Sequence, residues 1–469
     1  MGMRTELSKE GKLGIWKVLT WLLVFEFFFV FNNNVFNLIS PKLVDEFKVA
    51  PSTVSLVISM GTLAFGVCSI VYTILADRIS MRRILLVTCA TFPIISVLGV
   101  FSVYHFTLLI LFRVLFGMSI AAPVALAVII ALRYFNKLEA AKLFGFIGAI
   151  FQLGAAFGNA LGGYITEHLS WNYIFLFSCI TIFSIPTIYR HMPQEKSRQH
   201  SFDYAGVVML TGVVTLIILF FTFKMQYLWM LGAAIVLGFI FVLYSNKKKD
   251  PFVDLRVLGI KGVSGSLLVC LIFYMTQAAF LFIFPFIVRD TYGMSLSVIG
   301  MFNMFTNILA FATGMFSGRI IKAIGYRNMV ILGGGFIFTG LLVVALFVGF
   351  SVVPVFIGLG VFNIGYVLFF SGYLSNYTQL LPSQFHGAGV GIEKLVVQLG
   401  SSIGAAFIGM FFGASFMSKA LVDFSGRAEA APFSNMSVIL LVLIVAATSM
   451  FLFIFKKNVK PQEALIKQA

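Results

Sequence analysis

The chain has 469 residues, of which 60% are hydrophobic and 11% charged. Soluble proteins carry about 25% charged residues, so this chain lacks the charge to cover a water-facing surface, and lipid is the solvent its apolar residues imply. The net charge of +16 does not indicate a nucleic-acid partner, because the basic residues sit in short loops between apolar runs and are not gathered on one soluble domain.

A membrane-crossing helix needs about 20 apolar residues. On that measure fourteen spans are expected, near 15–38, 53–75, 84–103, 106–132, 143–165, 172–189, 204–223, 228–245, 263–288, 297–317, 329–349, 354–380, 392–416 and 436–455. The first run is too long for the apolar region of a cleaved signal, and no small-residue cleavage site follows it. Charge sidedness supports the even count. Of the 33 Lys and Arg residues, 26 fall on the side of both termini, Lys394 among them. Six fall on the other side (Lys42, Lys48, Lys224, Arg289, Lys419 and Arg427), and Arg113 lies inside a span. The expectation is a multi-pass, monomeric protein of a bacterial cell membrane with both termini cytosolic. The polar segments 190–203, 246–262 and 417–435 are too short for a core of their own, so soluble enzymatic chemistry has no place. Cys68, Cys89, Cys179 and Cys270 each stand alone in an apolar run, and neither a metal site nor a cofactor is expected.

The polar exceptions follow in chain order. The first span holds Glu26, Asn32, Asn33, Asn34 and Asn37. Buried amides are unfavourable unless polar partners meet them. Glu26 and Asn33 share a helix face, and Glu26 is the one acid well inside a predicted span. It is either a protonatable coupling residue or a polar residue satisfied at a helix contact. Asp77 ends the second span, where it can meet the positive end of a neighbouring helix; Arg78, Arg82 and Arg83 beside it serve gating or mark topology. Arg113 faces either a cavity or helix carbonyls, because a charge within a span is costly. Asn32 and Asn33 reach a similar depth, which predicts an arginine–amide network. Glu26 lies about 10 Å from that depth at ~1.5 Å per residue, leaving a direct bond to Arg113 open.

The fifth span places Gly154, Gly158 and Gly162 at four-residue spacing, with Gly163 beside them. Small residues permit close helix approach, here expected against a helix of the other half. Cavity candidates are Asn32, Asn33, Gln152, Tyr274, Gln277, Asn303, Asn307, Asn363, Tyr366 and Tyr373; such mixed walls suit bulky amphipathic compounds. Glu393 is expected near the cytosolic surface.

An internal repeat joins two loops. Thr73, Asp77, Ser80 and Arg82 share their spacing with Gly318, Lys322, Gly325 and Arg327. Together with Leu75–Arg83, the run Leu111-Phe112-Arg113-Val114-Leu115-Phe116-Gly117, and Gly148, Gly154, Gly158, Asn159, Gly162 and Gly163, this pattern resembles the major facilitator superfamily. The likeness is to the fourteen-helix branch of drug:proton antiporters, and within it to Gram-positive tetracycline and multidrug efflux proteins. The resemblance implies an all-α membrane fold of two pseudo-symmetric six-helix bundles (1–189 and 263–469) with two inserted helices (190–262). It also implies proton coupling through Arg113 and a small-molecule substrate exchanged for protons. The chain departs from that pattern at Ala155, Ser401 and the outer half of the first span, where such exporters place acids, and Asn159 replaces a customary proline. The missing acids weaken a cationic or metal–tetracycline substrate and leave Glu26 as the coupling candidate. Two readings follow: proton-coupled export of amphipathic drugs, or transport of a specific, anionic or lipid-like metabolite. A membrane-embedded enzyme is disfavoured, since no catalytic motif stands in the chain.

Overall fold

The computed structural model describes residues 9–76, 79–135, 137–194, 203–248, 251–382, 385–419, 421–422 and 427–456. The loop candidates Asp77 and Arg78 lie outside these.

The chain is a succession of long apolar helices. The first bundle comprises α1 (Lys9–Leu38), the short α2 (Ser40–Phe47), α3 (Pro51–Leu75), α4 (Met81–Gly99), α5 (Phe106–Tyr134) and α6 (Lys137–His168). Its sixth span is composite, with α7 (Ile174–Phe177) and α8 (Ser184–His191) joined by a 3₁₀ stretch. Two inserted helices follow, α9 (Tyr204–Thr222) and α10 (Leu228–Lys247). The second bundle is α11 (Val263–Tyr292), α12 (Leu296–Phe347), α13 (Val352–Thr378), α14 (His386–Gly409) and α15 (Ala431–Ile454). No bond partner for a backbone exists in hydrocarbon, so each span satisfies its own as a helix.

Among the described residues, 13 continuous helical stretches are long and apolar enough to cross a membrane. The predicted tenth and eleventh spans both fall within α12, which bends at Gly325 (φ 81°, ψ 166°). That conformation is open to glycine and strained for side chains, so one residue turns the chain where the sequence suggests a loop. Counting its two limbs separately restores fourteen.

The repeated loop arginines occupy matching places. Arg82 lies 4.5 Å over the ring of Tyr189, and Arg327 donates through Nε to the carbonyl of Phe455. Each grips the far end of the last helix of its own bundle.

The two bundles meet along α6 with α12 and α3 with α14, and α1 faces α11 between those seams. At the end remote from the termini the contact is tight. Arg289 reaches Asp45 at 2.7 Å, and the Ser297 amide donates to Glu167 at 3.1 Å. A Cβ on Gly163 would strike the Leu296 carbonyl, and one on Gly300 the Asn159 carbonyl. Gly409 lies against Ser52. This distal end of the central cleft is shut.

The inserted helix α9 packs on both α3 and α14, where Leu63, Val67, Val214, Ile218 and Ala406 form one apolar cluster. The helix α10 packs on α9 and presents Trp229, Ile235 and Phe239 outward, a face suited to lipid. Asp203 caps α9 from a buried position. Its carboxylate accepts from the Gly206 and Phe252 amides at 3.0 and 2.8 Å and from Tyr244 and Lys248, each at 2.9 Å. Burial pushes this carboxyl up, but the bonds from Lys248, the two amides and Tyr244 outweigh it and hold Asp203 below the usual carboxylate range.

Candidate functional site

Three distinct polar groupings stand out, one inside the first bundle and two where the bundles meet.

The first is a knot around Arg113. Its side chain is 1% exposed. Nε donates to the Val57 carbonyl at 3.1 Å and Nη2 to Asn33 Oδ1 at 2.7 Å, while Nη1 donates to Asn32 Oδ1. The guanidinium also lies 4.5 Å over the Phe36 ring, a cation–π contact. The planar fork suits this set, since one lysine ammonium cannot reach acceptors spread over α1 and α3 in a fixed plane. The expected arginine–amide network is present. Glu26 is not part of it: among the described residues no hydrogen bond or ion pair joins Glu26 to Arg113. Asn32 is wholly buried and so faces the arginine, not open space, a correction to its reading as a cavity wall; Asn33 is half-buried.

The second grouping is an amide recess just inside the distal seal. Asn34 and Asn37 of α1, Asn159 of α6, Asn303 and Asn307 of α12 and Asn363 of α13 line it, with Leu281, Pro285 and Leu359. The recess has room for about one water molecule. Asn159 donates to Asn34 Oδ1 at 3.4 Å, and Asn363 to Thr306 at 3.1 Å. The buried Oδ1 atoms of Asn37 and Asn303 have no protein partner. The sequence expectation for Asn303, Asn307 and Asn363 thus corresponds to a shared polar recess, to which Asn34, Asn37 and Asn159 also contribute.

The third grouping is charged. Glu26 lies midway along α1 and is half-buried. Lys394 and Glu393 lie in the third turn of α14, within the candidate span Ala388–Gly409. Lys394 feels the charges of both Glu26 and Glu393. Lys394, counted with the basic residues on the side of the termini, lies within a helical span, and Glu393, expected near the cytosolic surface, is 4% exposed. The apolar run begins at 388 once His386 and Gly389 are drawn into the helix, which carries the Glu–Lys pair inward. Glu393 is within electrostatic reach of Cys270 and Tyr274 on α11 and Tyr373 on α13. Tyr274, within electrostatic reach of Glu393, is half-buried, as are Gln277 on α11 and Gln152 on α6.

Two tyrosines leave the predicted wall. Tyr366 donates to the Phe273 carbonyl and Tyr373 to the Ser266 carbonyl at 2.8 Å. Both are buried; Tyr373 stacks on Phe369, whose ring lies 3.8 Å from that of Phe273 and nearly parallel to it, while Tyr366 meets both phenylalanines edge-on. Their hydroxyls are used inside the second bundle, because a buried phenol needs a partner.

The glycine seam is also redistributed. A Cβ on Gly154 would meet the Phe27 carbonyl at 2.8 Å, one on Gly158 the Phe31 carbonyl at 2.5 Å, and one on Gly162 the Val35 side chain at 2.7 Å. All three press on α1, inside the first bundle. The expected contact with the other half falls to Gly163 alone, one residue on and so turned about 100° around the helix.

Known proteins place this geometry. The family model described as Major Facilitator Superfamily matches residues 22–405. The "Riboflavin transporter RibZ" of Clostridioides difficile (strain 630) is 23% identical over 405 residues, covering 85% of this chain and 89% of that protein. The "Multidrug transporter protein MdtP" of Bacillus subtilis (strain 168) is 25% identical over 354 residues, 71% of this chain and 64% of that protein. The "Multidrug efflux pump LfrA" of Mycolicibacterium smegmatis is 22% identical over 400 residues, 83% of this chain and 79% of that protein. Among solved structures, a bacterial homolog to the human lysosomal transporter Spinster superposes with a TM-score of 0.68 at 15% identity, covering 97% of this chain and 100% of that one. A D-xylose-proton symporter gives 0.67 at 12%, covering 95% and 98%. A secondary transporter of small molecules, not an enzyme, is what this fold and these relatives share, and the chain belongs to the major facilitator superfamily.

Proposed function

We propose that the chain is a monomeric, proton-coupled transporter that carries an amphipathic aromatic compound across a bacterial cell membrane by alternating access, with both termini cytosolic. The carrying observation is the charged group at the bundle interface. Glu26 on one bundle and Lys394 on the other feel each other across a cleft that is shut distally by Asp45–Arg289 and the Gly163 contact. Ionisable residues at membrane depth are expensive and mark substrate or proton paths. Two groups on opposite bundles change their separation whenever the bundles rock. Glu26 is the proton carrier in this scheme; Arg113 positions α1 and α3 beside it. The aromatic and amide surroundings supply apolar contact with few directional demands.

A second reading, drug export by exchange with protons, is supported by relatives named for multidrug transport and efflux. In that case a cationic substrate displaces the proton on Glu26.

The test uses the purified chain in liposomes carrying an imposed pH gradient. Amphipathic aromatic cations, neutral compounds and anions are added in turn while proton movement is followed. Substrate-stimulated proton flux in at least one class is the expected result. Absence of flux and of gradient-driven accumulation in all three classes overturns the proposal.

A further inference from the structure

Lys394 is solvent-exposed although it stands within a membrane span, while its neighbours Ile392, Glu393 and Leu395 are buried. The face it occupies is set by Gln398, one turn later, whose side chain lies against Gly66 of α3. Lys394 therefore looks toward the opposite bundle, and the surface it presents opens on the cleft. On the far side, Phe29, three residues beyond Glu26, stacks on Phe65 of α3 with ring centroids 3.6 Å apart. Glu26 thus lies about one turn below the Phe29–Phe65 contact and Lys394 one turn below the Gln398–Gly66 contact, and Lys394 feels the charge of Glu26.

The ammonium has no close partner. Among the described residues no hydrogen bond or ion pair ends on Lys394, and both neighbouring carboxylates, though electrically felt, stay beyond ion-pair distance. A cation held at bilayer depth without a counter-ion is unfavourable by several kcal/mol, and a hydrated cleft lowers that penalty without removing it. The arrangement is complementary to an anion small enough to enter between the bundles. Aromatic surface is at hand in half-buried Tyr274, whose ring lies 6.4 Å from that of Phe369.

We propose that Lys394 is the docking point for an acidic group on the substrate, so that the transported molecule is an aromatic compound bearing a carboxylate, sulfonate or phosphate. This rests on the transport reading above and selects its substrate class. It also fixes the sense of coupling. An ionised Glu26 and the substrate's acid are alternative counter-ions for one ammonium, so acid docking is favoured when Glu26 carries a proton. Glu393, on the same helix, competes in the same sense; Cys270, Tyr274, Tyr373 and Tyr377 lie within electrostatic reach of Glu393, and thiols and phenols ordinarily carry no charge near pH 7. Substrate and proton then move in the same direction.

The experiment compares aromatic acids with their own neutral amides, on purified full-length wild type, Lys394→Gln and Lys394→Arg. Thermal stabilisation in detergent reads binding, and accumulation in liposomes under an inward proton gradient reads coupling. Acids are expected to stabilise the wild type and Lys394→Arg where the amides do not, with apparent affinity falling about tenfold or more in Lys394→Gln, the loss of one charge contact of about 1.4 kcal/mol. Accumulation of the acid should follow the proton gradient. Equal stabilisation by acid and amide, undiminished acid binding in Lys394→Gln, or no acid-dependent stabilisation overturns the inference. Proton-driven transport of cations or neutral compounds that is unchanged in Lys394→Gln would do the same while leaving the transport reading standing.

Discussion

Arg113 and Asn32, on the fourth and first spans, are joined by a hydrogen bond closed off from solvent, and no carboxylate stands within ion-pair distance of the guanidinium among the described residues. A buried arginine with only neutral acceptors is held by geometry more than by charge neutralisation. Its three donors fix the relative placement of α1, α3 and α5 beside the cleft.

Arg113→Lys keeps the charge but loses the fork. It should lower the melting temperature of the purified protein and abolish transport. Asn32→Ala, which removes one bond to a charged donor, should be destabilised by about 1.5–3 kcal/mol. Wild-type melting of Arg113→Lys in a detergent thermal scan would show that the fork holds nothing.

Glu26→Gln should lose accumulation driven by a proton gradient while retaining exchange of labelled for unlabelled substrate. The two assays separate coupling from binding. Gradient-driven accumulation at the wild-type level would remove Glu26 from the proton path.

The distal seal gives a third expectation. In a background lacking Cys68, Cys89, Cys179 and Cys270, paired Asp45→Cys and Arg289→Cys should be bridged by a short thiol cross-linker, stopping transport until reductant is added. Arg289→Ala alone should change stability by no more than about 1 kcal/mol, because the pair is solvent-exposed. Transport that continues with the bridge intact would show that this end need not open.

Glycine substitutions should divide by partner. Gly163→Leu forces α6 off the Leu296 carbonyl, so the distal end cannot close and thiol reagents added from that side should reach the cleft. Gly158→Leu strains α6 against α1 and should mainly reduce stability and expression. Identical phenotypes for the two would contradict the separate contacts seen here.

Asp203→Asn should loosen the inserted pair. The folded carboxyl lies below its ordinary value of about 3.9, so its contribution is present above that pH and lost as pH falls through the folded value. The variant should therefore melt lower than wild type at pH 7, with the gap closing as the pH drops below about 4. A constant gap across that range would exclude an ionised Asp203 as the cause.

Which of these features the sequence reveals depends on whether a one-dimensional signal determines them. Span number and the meeting of Arg113 with Asn32 and Asn33 follow from length, depth and the need of a buried charge for acceptors. Helix rotation does not follow from spacing alone. Gly158 and Gly163 are five residues apart, about 1.4 turns, yet one meets its own bundle and the other the opposite one. Tyr366 and Asn363 lie three residues apart on α13, but a phenol reaches a carbonyl across its bundle while the shorter amide stays at the recess. The Glu393–Lys394 pair falls where the apolar run beginning near 392 starts, so hydropathy leaves it at the edge of the span, and only the fold shows that the helix continues back to His386.

The placement of α9 carries one more consequence. It lies along α3, which belongs to one bundle, and along α14, which belongs to the other, so it cannot stay fixed to both when they tilt. Its contact with α3 is greasy and undirected, through Leu63, Val67, Val214 and Ile218, and can shear without stranding a polar group. At the far rim Lys224 donates to the Phe412 carbonyl at 2.9 Å, just past the end of α14. On the transport reading, that one directed bond should make the inserted helix travel with the second bundle and glide over the first, a sliding shutter keeping lipid tails out of the gap while the doorway beneath it swings.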